Sequence, residues 1–277
     1  MKSHSKTYYN DIALKLIQKL FGLDYLHYGY FEGDLPLTLE GLKIAQQKYT
    51  DKIISEFPNE VKSVLDVGCG AGGNAKTMVE KGLQVSCIDP DPYLISKTLE
   101  KTNQKIKAYE GLYENVTQVP PESHDLVLMS ESCQYISPVE GWDLHRKHVK
   151  LNGYVMAVDF FKIKPIDKKY LSKSGHELKS FIEEAEKKGF KLLKKIDITP
   201  QTAPTMDLYQ SIITEKIFPV FEALFTFINR KFNTIYKVLS YFLKEKVLFL
   251  KEKYSHQDSK IFSEYKGYYI LLFQRIK

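Results

Sequence analysis

Cysteine is scarce in this chain. The 277 residues include three cysteines, Cys69, Cys87 and Cys133, which stand far apart in the sequence. A disulfide framework uses an even set of cysteines, and a structural zinc site uses paired Cys or His ligands at short spacing. The cysteine pattern therefore argues against a disulfide-stapled secreted scaffold, and we predict no metal site.

Long apolar runs are also absent. The longest stretches without Lys, Arg, Asp or Glu are nine residues long, Val67–Ala75 and Ile198–Met206, whereas a membrane-spanning helix needs roughly 18 or more apolar residues. The first residues, Met1–Lys6, lead into no apolar segment of the kind that a signal peptide requires. We therefore expect a soluble cytoplasmic protein without a transmembrane helix.

The composition is otherwise that of a globular protein, with one concentration of aromatic residues. Hydrophobic residues make up 43% and charged residues 27%, and the net charge is +6, so the chain can bury a core. Its length suits one elaborated domain or a domain with a large insertion. Tyr, Phe and basic residues gather in residues 208–260, where we expect the choice of substrate to be made.

Strand-like and helix-like segments alternate from residue 63 onwards. This alternation predicts βαβ units and a mostly parallel sheet with helices on both faces. Two predicted helices, over 6–21 and 38–56, precede the sheet, and a long helical insertion precedes the last strand. The predicted strands are 63–67, 84–88, 106–110, 125–129, 153–160, 191–198 and 268–274, and the predicted helices between them are 73–81, 92–103, 139–149 and 175–188.

A glycine-rich turn joins the first predicted strand to the next helix. Four of the six residues 68–73 are glycine, which permits positive φ angles and lets a ligand approach the backbone closely. The helix that follows offers free N–H groups at its amino end. A purely structural turn would not need so many glycines, so we predict a cofactor at this turn.

Two cofactor patterns match the turn. Gly68, Gly70 and Gly73 satisfy the dinucleotide fingerprint G-x-G-x-x-G. Asp89 ends the next strand, where an acid accepts hydrogen bonds from ribose hydroxyls. Asp66 stands two residues before the first glycine. In this the turn resembles S-adenosylmethionine-dependent methyltransferases, in which an acid at this position can meet the methionyl ammonium group, whereas a dinucleotide brings no such cation. The sequence favours the methionyl cofactor, and a nicotinamide cofactor is the alternative.

The pattern D-x-G-x-G-x-G, formed by Asp66, Gly68, Gly70 and Gly72, resembles motif I of the class I S-adenosylmethionine-dependent methyltransferases. The resemblance runs over roughly residues 25–160. It implies a Rossmann-like α/β fold with a seven-stranded, mostly parallel sheet, an antiparallel last strand, an N-terminal helical cap and a helical insertion before the last strand. Further segments that resemble the family's motifs are Val85–Asp91, Glu110–Glu114, Ser123–Ser132 and Lys150–Tyr154.

The resemblance also implies which residues bind S-adenosylmethionine. Asp89 would hold the ribose, with Pro90 or Asp91 beside the adenine. Leu112 stands where the family often has Asp, so the backbone of Leu112 and Tyr113 would meet the edge of the adenine. The predicted cofactor-binding residues are Tyr28, Tyr30, Asp66, Gly68, Cys69, Gly70, Asn74, Asp89, Pro90, Gly111, Leu112, Tyr113, Ser130 and Tyr135.

The catalytic candidates flank the expected position of the methyl group. Methyl transfer is an in-line displacement, so alignment and exclusion of water matter most, and a base is needed only for a protonated acceptor. Tyr28–Tyr30 is similar to the aromatic lid of small-molecule methyltransferases, and an aromatic staple for the N-terminal helices is the alternative. Glu131 follows the fourth strand, where the family has its reaction centre. We predict Glu131, Tyr30 and His27 as catalytic residues.

Other polar segments of the sequence give no sign of a metal site or of a nucleic-acid partner. His145 and His148 lie beside Arg146 and Lys147, on what we expect to be an exposed helix face with too few ligands for a metal. The chain has neither an Asn-Pro-Pro-Tyr nor an Asp-Pro-Pro-Tyr element after the fourth strand, and no module rich in Arg and Lys for binding RNA. We therefore predict no nucleic-acid partner.

The insertion over 208–262 is the candidate for the acceptor side. Its apolar residues recur at helical spacing, which indicates core packing or a homodimer interface. A lid over a lipophilic acceptor, with peripheral contact to an anionic membrane through 208–256, stays open. We divide the rest into a cap and lid over 1–58, a cofactor-binding core over 59–207 and a last strand over 263–277. The apolar stripe is Phe218, Phe221, Leu224, Phe225, Ile228, Ile235, Val238, Leu239 and Phe242.

The sequence as a whole predicts an enzyme that converts S-adenosylmethionine to S-adenosylhomocysteine. We expect O-, N- or C-methylation of a small, partly hydrophobic metabolite, with the lipophilic character drawn from the aromatic insertion. Two alternatives are an NAD(P)-dependent oxidoreductase and a non-catalytic binding module with the same fold.

Overall fold

A computed structural model describes residues 22–23, 25–166, 169–172, 174–234, 236–237, 240–241, 245 and 258–277. The helix predicted over 6–21 lies outside these residues. The second half of the predicted apolar stripe, namely Ile235, Val238, Leu239 and Phe242, also lies outside them.

Seven strands of the described residues form a single sheet. They are β1 Ser63–Val67, β2 Gln84–Asp89, β3 Lys107–Glu110, β4 His124–Ser130, β5 Val149–Lys162, β6 Phe190–Asp197 and β7 Lys266–Arg275. Their order is β3-β2-β1-β4-β5-β7-β6. The strands β1 to β5 are parallel to one another, and β7 is antiparallel to both β5 and β6. The predicted fold class is confirmed, including the antiparallel last strand. β5 is longer than the predicted 153–160.

Helices flank the sheet, and side chains that cap them mark several of their first turns. The hydroxyl of Thr38 accepts the N–H of Gly41 at 3.1 Å, and the Asp91 carboxylate accepts the N–H of Tyr93 at 3.0 Å; both are common caps at helix amino ends. The helices are α1 Leu39–Ser55, α2 Gly73–Glu80, α3 Pro92–Lys101, α4 Pro138–His148, α5 Lys169–Ser172, α6 Leu178–Lys187, α7 Thr199–Thr202, α8 Pro204–Ser211, α9 Phe218–Lys231 and α10 Ser259–Tyr265.

The two faces of the sheet carry separate apolar cores. One core joins the sheet to α1, α2, α3 and α10, and it includes Tyr49 and Phe262. The other joins it to α4 and α6 around Trp142, whose ring lies 4.8 Å from that of Phe273 and 4.9 Å from that of Phe190. Strands of a parallel sheet are apolar on both faces for this reason. The result is a rigid sheet whose carboxyl edge can present polar residues.

The insertion is a continuous helical run from α8 through a π-helical turn, Ile212–Ile217, into α9. Its first part is anchored, because Leu208 and Ile212 pack with Leu23 and Leu42. No side chain of α9, whose residues are all described, is buried, and Phe221 and other apolar residues face solvent. The predicted core packing is therefore wrong for α9. No helix in the described part of the chain is long and apolar enough to cross a bilayer.

Candidate active site

The glycine turn lies at the carboxyl ends of β1 and β2. Gly68, Gly70 and Gly72 have φ angles of 74°, 56° and 78°, which residues with a Cβ rarely adopt. A Cβ on Gly68 would lie 2.5 Å from the Cβ of Ser132, so the turn packs its backbone against the exit of β4. The N–H of Gly68 donates to the carbonyl of Ile88 at 2.8 Å. The turn thus connects three strand ends at the edge where ligands bind in open α/β sheets.

Asp89 ends β2 with both carboxylate oxygens engaged. The N–H of Gly70 donates to Oδ2 at 3.0 Å, and the N–H of Asp91 donates to Oδ1 at 2.9 Å. The residue is buried, and this burial raises the pKa of Asp89 to about 6. Each oxygen keeps a second lone pair, so the carboxylate can still accept the two neighbouring hydroxyls of a ribose.

Asp66 presents a buried carboxyl group beside the glycine turn. The residue is 1% exposed, and no described residue hydrogen-bonds its Oδ2. Burial, together with the nearby Asp89 carboxylate, raises the pKa of Asp66 to about 7. Burying a charge without a counter-charge costs free energy, so an ammonium group carried by a ligand would stabilise this side chain in its ionised form.

The residues at this edge therefore fit S-adenosylmethionine. The glycine turn exposes backbone to a ligand, Asp89 offers acceptors for a ribose, and Asp66 offers a carboxyl group for the methionyl ammonium. A bound dinucleotide would leave Asp66 without a cation. The strand order, with an antiparallel β7 between β5 and β6, also differs from the order 3-2-1-4-5-6 that is usual for dinucleotide folds.

Glu131 forms the opposite side of the candidate site, at the exit of β4. Its φ angle is 58°, a left-handed conformation that is strained for a residue with a side chain and that often marks a functional site. Its Oε1 accepts the hydroxyl of Tyr268 at 2.6 Å and the N–H of Tyr28 at 2.7 Å. Burial raises the pKa of Glu131 to about 8, so this carboxyl group can exchange a proton near neutral pH.

The segment Tyr28–Tyr30 lies over Glu131 and is held by its backbone. The N–H of Gly29 donates to the hydroxyl of Thr205 at 3.0 Å, and the N–H of Tyr30 donates to the carbonyl of Ala45 at 2.8 Å. These bonds join the segment to α8 and α1, as the alternative of an aromatic staple requires. They also keep Tyr28 next to Glu131, as the alternative of an aromatic lid requires. The catalytic role of Tyr30 stays a prediction.

His27 is buried between α1 and the aromatic segment. Its Nδ1 lies 2.8 Å from the carbonyl oxygen of Tyr28, and its Nε2 lies 3.3 Å from the hydroxyl of Thr50. The ring stacks on that of Tyr49, with centroids 4.3 Å apart. Burial lowers the pKa of His27 to about 4, so the ring is neutral and engaged with protein atoms at physiological pH. Its role as a base stays a prediction, and the contacts favour a structural one.

The residues predicted to surround the adenine follow β2 and β3. The N–H of Gly111 donates to the carbonyl of Asp89 at 3.0 Å, which places Gly111 beside Asp89 and Pro90. Leu112 is 44% exposed and could cover a ring. Tyr113 is buried beside this loop, and a contact between its backbone and a cofactor stays a prediction.

The prediction that His145 and His148 lie on an exposed helix face is wrong. Both residues are buried, and the hydroxyl of Tyr113 lies 3.2 Å from Nδ1 of His145 and 3.1 Å from Nδ1 of His148. The last turn of α4 runs directly into β5, so this face turns toward the sheet and the loop after β3. Burial lowers the pKa of His145 to about 3 and that of His148 to about 4. Two neutral histidines therefore anchor the predicted adenine loop.

The remaining predicted residues border the site in different ways. Cys69 and Asn74 are buried, and the hydroxyl of Thr50 donates to Oδ1 of Asn74 at 2.7 Å, so this amide already serves the protein. Ser130 is half-buried at the end of β4. Tyr135 is 80% exposed at the end of a 3₁₀ turn. Their roles toward a cofactor stay predictions.

Two tyrosines of the site, Tyr49 and Tyr268, are not predicted from the sequence. Tyr268 donates to Glu131, and the hydroxyl of Tyr49 lies 2.8 Å from that of Tyr268 and 3.3 Å from Oγ of Ser130. Tyr49 and Tyr268 are 219 positions apart in the sequence, on α1 and β7. Each stands among apolar residues, where a tyrosine predicts core packing as readily as a polar site.

The core of the chain matches a known family. Residues 65–157 match the family model described as a methyltransferase domain. The ubiquinone biosynthesis O-methyltransferase of Photobacterium profundum is 29% identical over 157 residues, which cover 50% of this chain and 63% of that protein. The chain thus spans less than two thirds of the length of the curated relatives that it matches.

Solved structures resemble nearly the whole chain. The (4+2)-cyclase SpnF has a TM-score of 0.73 at 16% identity, and the match covers 97% of this chain and 95% of that one. The geranyl diphosphate C-methyltransferase of Streptomyces coelicolor A3(2), in complex with Mg²⁺, geranyl diphosphate and S-adenosyl-L-homocysteine, has a TM-score of 0.65 at 15% identity and covers 97% of each chain. At these identities the likeness concerns the fold.

Proposed function

We propose that this chain, a class I S-adenosylmethionine-dependent methyltransferase by its domain and its fold, methylates a small, partly hydrophobic acceptor at an O, N or C atom. The observation that carries the proposal is the placement of two carboxyl groups at one edge of the sheet. No described residue hydrogen-bonds Oδ2 of Asp66 beside the glycine turn, and Glu131 lies at the exit of the neighbouring β4. One suits a cationic cofactor, and the other suits an acceptor.

The residues at the ends of β1, β2 and β3, which we call the cofactor side, would bind and orient S-adenosylmethionine. When bound, S-adenosylmethionine supplies a methyl group on a positively charged sulfonium. Asp66 would receive its ammonium group, Asp89 would accept both ribose hydroxyls, and the backbone of Gly111–Tyr113 would meet the adenine. The ring of Tyr28 would face the sulfonium, a cation–π contact that contributes about 0.5–2 kcal/mol.

Glu131 and the residues around it, which we call the acceptor side, would take up the proton that the acceptor loses. An acceptor that arrives with an O–H or N–H must lose a proton as its heavy atom bonds to the methyl carbon, and the ionised form of Glu131 can take it. An acceptor that carries a positive charge would instead be held by the same carboxylate. In both cases the pKa of about 8 makes the ionised fraction of Glu131, and so the rate, rise with pH through neutrality until the group is fully ionised.

Aromatic side chains around Glu131 support a partly hydrophobic acceptor. The ring of Tyr28 lies 6.3 Å from that of Phe160, 6.2 Å from that of Phe262 and 6.4 Å from that of Tyr209. Apolar walls with few polar groups are typical of sites for small organic molecules. A structural relative that acts on geranyl diphosphate supports the same class of acceptor.

The exposed apolar side chains of α9 extend this proposal to the protein surface. Val220, Phe221 and Leu224 are exposed near Lys216 and Arg230, and apolar groups with basic neighbours bind anionic interfaces. We expect the protein to sediment with vesicles that contain phosphatidylglycerol and not with pure phosphatidylcholine vesicles. Light scattering checks the alternative, because a homodimer that covers α9 would double the mass without vesicles.

Calorimetry tests the cofactor. We expect micromolar binding of S-adenosylmethionine and S-adenosylhomocysteine and no heat with NADH. Binding of NADH alone would overturn the proposal and restore the oxidoreductase. An acceptor panel with a labelled methyl group follows, and labelling of polar amines only, with every lipophilic acceptor ignored, would contradict the acceptor class.

A second candidate is a protein that keeps the fold without transferring a methyl group. The similarity to SpnF, which is described as a cyclase, is the observation that favours it. Binding of S-adenosylhomocysteine without turnover of any acceptor in the panel would support this candidate. Turnover that is lost in Glu131→Gln while the affinity for S-adenosylhomocysteine stays intact would exclude it.

A further inference from the structure

Glu131 lies at the end of a series of hydroxyl groups. The Tyr268 hydroxyl lies 2.6 Å from Oε1 of Glu131, the Tyr49 hydroxyl lies 2.8 Å from that of Tyr268, and Oγ of Ser130 lies 3.3 Å from the Tyr49 hydroxyl. We call these three groups the hydroxyl chain. Tyr49 and Tyr268 have no solvent-exposed surface, so the chain is enclosed between α1, β4 and β7.

The hydroxyl chain has a defined direction when Glu131 is ionised. A carboxylate only accepts, so Tyr268 gives its single hydrogen to Glu131. The hydrogen between the two tyrosines must then come from Tyr49. The hydrogen between Ser130 and Tyr49 must come from Ser130. Three hydrogen bonds in series polarise one another, so the chain delivers a strengthened donor to Oε1.

The two oxygens of Glu131 have different surroundings. Oε1 accepts both the Tyr268 hydroxyl and the N–H of Tyr28, and two donors fill the usual capacity of one carboxylate oxygen. No described residue hydrogen-bonds Oε2. The left-handed backbone at Glu131, whose N–H donates to the carbonyl of Val158 at 2.8 Å, holds the side chain in this orientation. Oε2 is therefore the oxygen that is left for a bound molecule.

We propose that Tyr268 and Tyr49 are positioning residues for Glu131, and that the hydroxyl chain holds Oε1 so that Oε2 meets the methyl acceptor. The inference rests on the proposed methyl transfer, because an acceptor is what Oε2 would meet. In that reaction the acceptor atom bonds to the methyl carbon, the bond from sulfur to that carbon breaks with its electron pair left on sulfur, and the proton of the acceptor goes to Oε2. Tyr268 and Tyr49 touch none of the reacting atoms.

The charges around Glu131 give the sign of the expected effect. Burial is the main cause that raises its pKa, the nearby Asp159 carboxyl raises it further, and the Tyr268 hydroxyl lowers it by stabilising the ionised form. The positive charge of Lys266 acts to lower the pKa of Asp159, which favours the ionised form of that carboxyl group. Removing the Tyr268 hydroxyl must therefore raise the pKa of Glu131. The titratable groups that face Glu131 are Tyr28 before α1, Tyr49 on α1, Tyr135 in the 3₁₀ turn, Asp159 on β5, Tyr209 on α8 and Tyr268 on β7.

Infrared titration of the whole protein without ligands tests the proposal. The band of a protonated carboxyl group, taken as the difference between the wild type and Glu131→Gln, reports the protonation of Glu131 against pH. In Tyr268→Phe, with its own Glu131→Gln partner, we expect the midpoint to move up by about one pH unit, because a hydrogen bond to a charged group is lost. Tyr269→Phe is the matched control, since this neighbour on β7 packs in the core on the other face of the sheet.

The hydroxyl chain also predicts a graded series. Tyr49→Phe should move the midpoint up by less than Tyr268→Phe, and Ser130→Ala by less again, because each lies one bond farther from Oε1. An unchanged midpoint in Tyr268→Phe, or one shifted equally in Tyr269→Phe, would overturn the proposal. If Tyr268→Phe does not fold, Tyr49→Phe decides in the same way. Calorimetry with S-adenosylhomocysteine is independent of this titration, so failure of the proposed function and failure of this inference can be told apart.

Discussion

The cofactor side and the acceptor side of the candidate site are built in opposite ways. Asp66, the glycine turn and Asp89 come from one βαβ unit over residues 63–89. Glu131 is instead held by Tyr28 and Tyr268, which come from opposite ends of the described chain. The acids and the glycine turn of the first side follow β1 and β2 directly, whereas the contacts of Glu131 join the exit of β4 to β7 and to the segment before α1. Changes to the first should therefore affect binding, and changes to the second should also affect stability.

The largest effect should be on cofactor affinity, when the carboxyl group of Asp89 is removed. In Asp89→Ala we expect the dissociation constant for S-adenosylhomocysteine to rise about 100-fold, because two hydrogen bonds from the ribose to a charged group are lost. Calorimetry measures it. Asp125→Asn is the control, since Asp125 lies at the opposite edge of the sheet, where it pairs with Lys150 at 2.7 Å. Equal losses in both variants would contradict a local cofactor side.

The acceptor side should respond to a single added methyl group. In Gly29→Ala the new Cβ would lie 2.6 Å from the Cβ of Ala45, and such overpacking lowers the free energy of unfolding by about 1–3 kcal/mol. Gly33→Ala tests backbone strain without a clash, because a Cβ there meets no atom within 4 Å at a φ of 66°, and it should cost about 1 kcal/mol. Urea unfolding compares them. A larger loss in Gly33→Ala would show that the segment is not held as the structure has it.

Cofactor binding should release a proton from Asp66. Its pKa of about 7 in the ligand-free protein leaves it about half protonated at pH 7, and a bound ammonium favours the ionised form, so about half a proton is released. Because ligand binding lowers the pKa of Asp66, affinity should rise with pH up to about pH 8. Calorimetry of S-adenosylhomocysteine in two buffers of different ionisation enthalpy counts the proton. The count should fall to zero in Asp66→Asn, and also with methylthioadenosine, which has no ammonium group.

The smallest effect on the free energy of unfolding should come from a substitution on α9, which belongs to neither the cofactor side nor the acceptor side. Phe221 is exposed on α9, so Phe221→Ser should change the free energy of unfolding by less than about 0.5 kcal/mol. Ile212→Ser, on the same helical run but buried with Leu208, should cost about 2 kcal/mol or more. A comparable loss in Phe221→Ser would mean that another surface covers α9 in solution, such as a second copy of the chain.

The same contrast explains what the sequence can predict. The glycine turn, Asp66 and Asp89 are close together in the sequence. Their spacing is therefore sufficient to predict that they meet at the carboxyl ends of β1 and β2. The position of Glu131 at the exit of β4 is predictable because the residue directly follows that strand in the sequence, and its role stays a prediction. Tyr49 and Tyr268 are not predictable, because what makes them part of the site is the pairing of β5 with β7 and the packing of α1, neither of which leaves a local pattern.

The error at His145 and His148 has a similar cause. Charged neighbours in the sequence, Arg146 and Lys147, suggest an exposed face. The side of a short helix that faces the sheet depends on how it enters the next strand, and α4 passes into β5 without a loop. Two imidazoles beside a tyrosine hydroxyl then form a buried polar cluster, which composition alone does not distinguish from a solvated one.

The position of β7 has a consequence for how the protein is made. β7 lies between β5 and β6, and among the described strands β6 pairs with β7 alone. During synthesis the ribosome releases β1 to β6 first, so neither β5 nor β6 can pair with β7 in the sheet until β7 emerges. The cofactor turn can form on the growing chain, but Tyr268 arrives with β7. A partly synthesised chain would therefore acquire its cofactor turn well before it could hold Glu131, and β7 then joins β5 to β6 and brings Tyr268 to the acceptor side in one step.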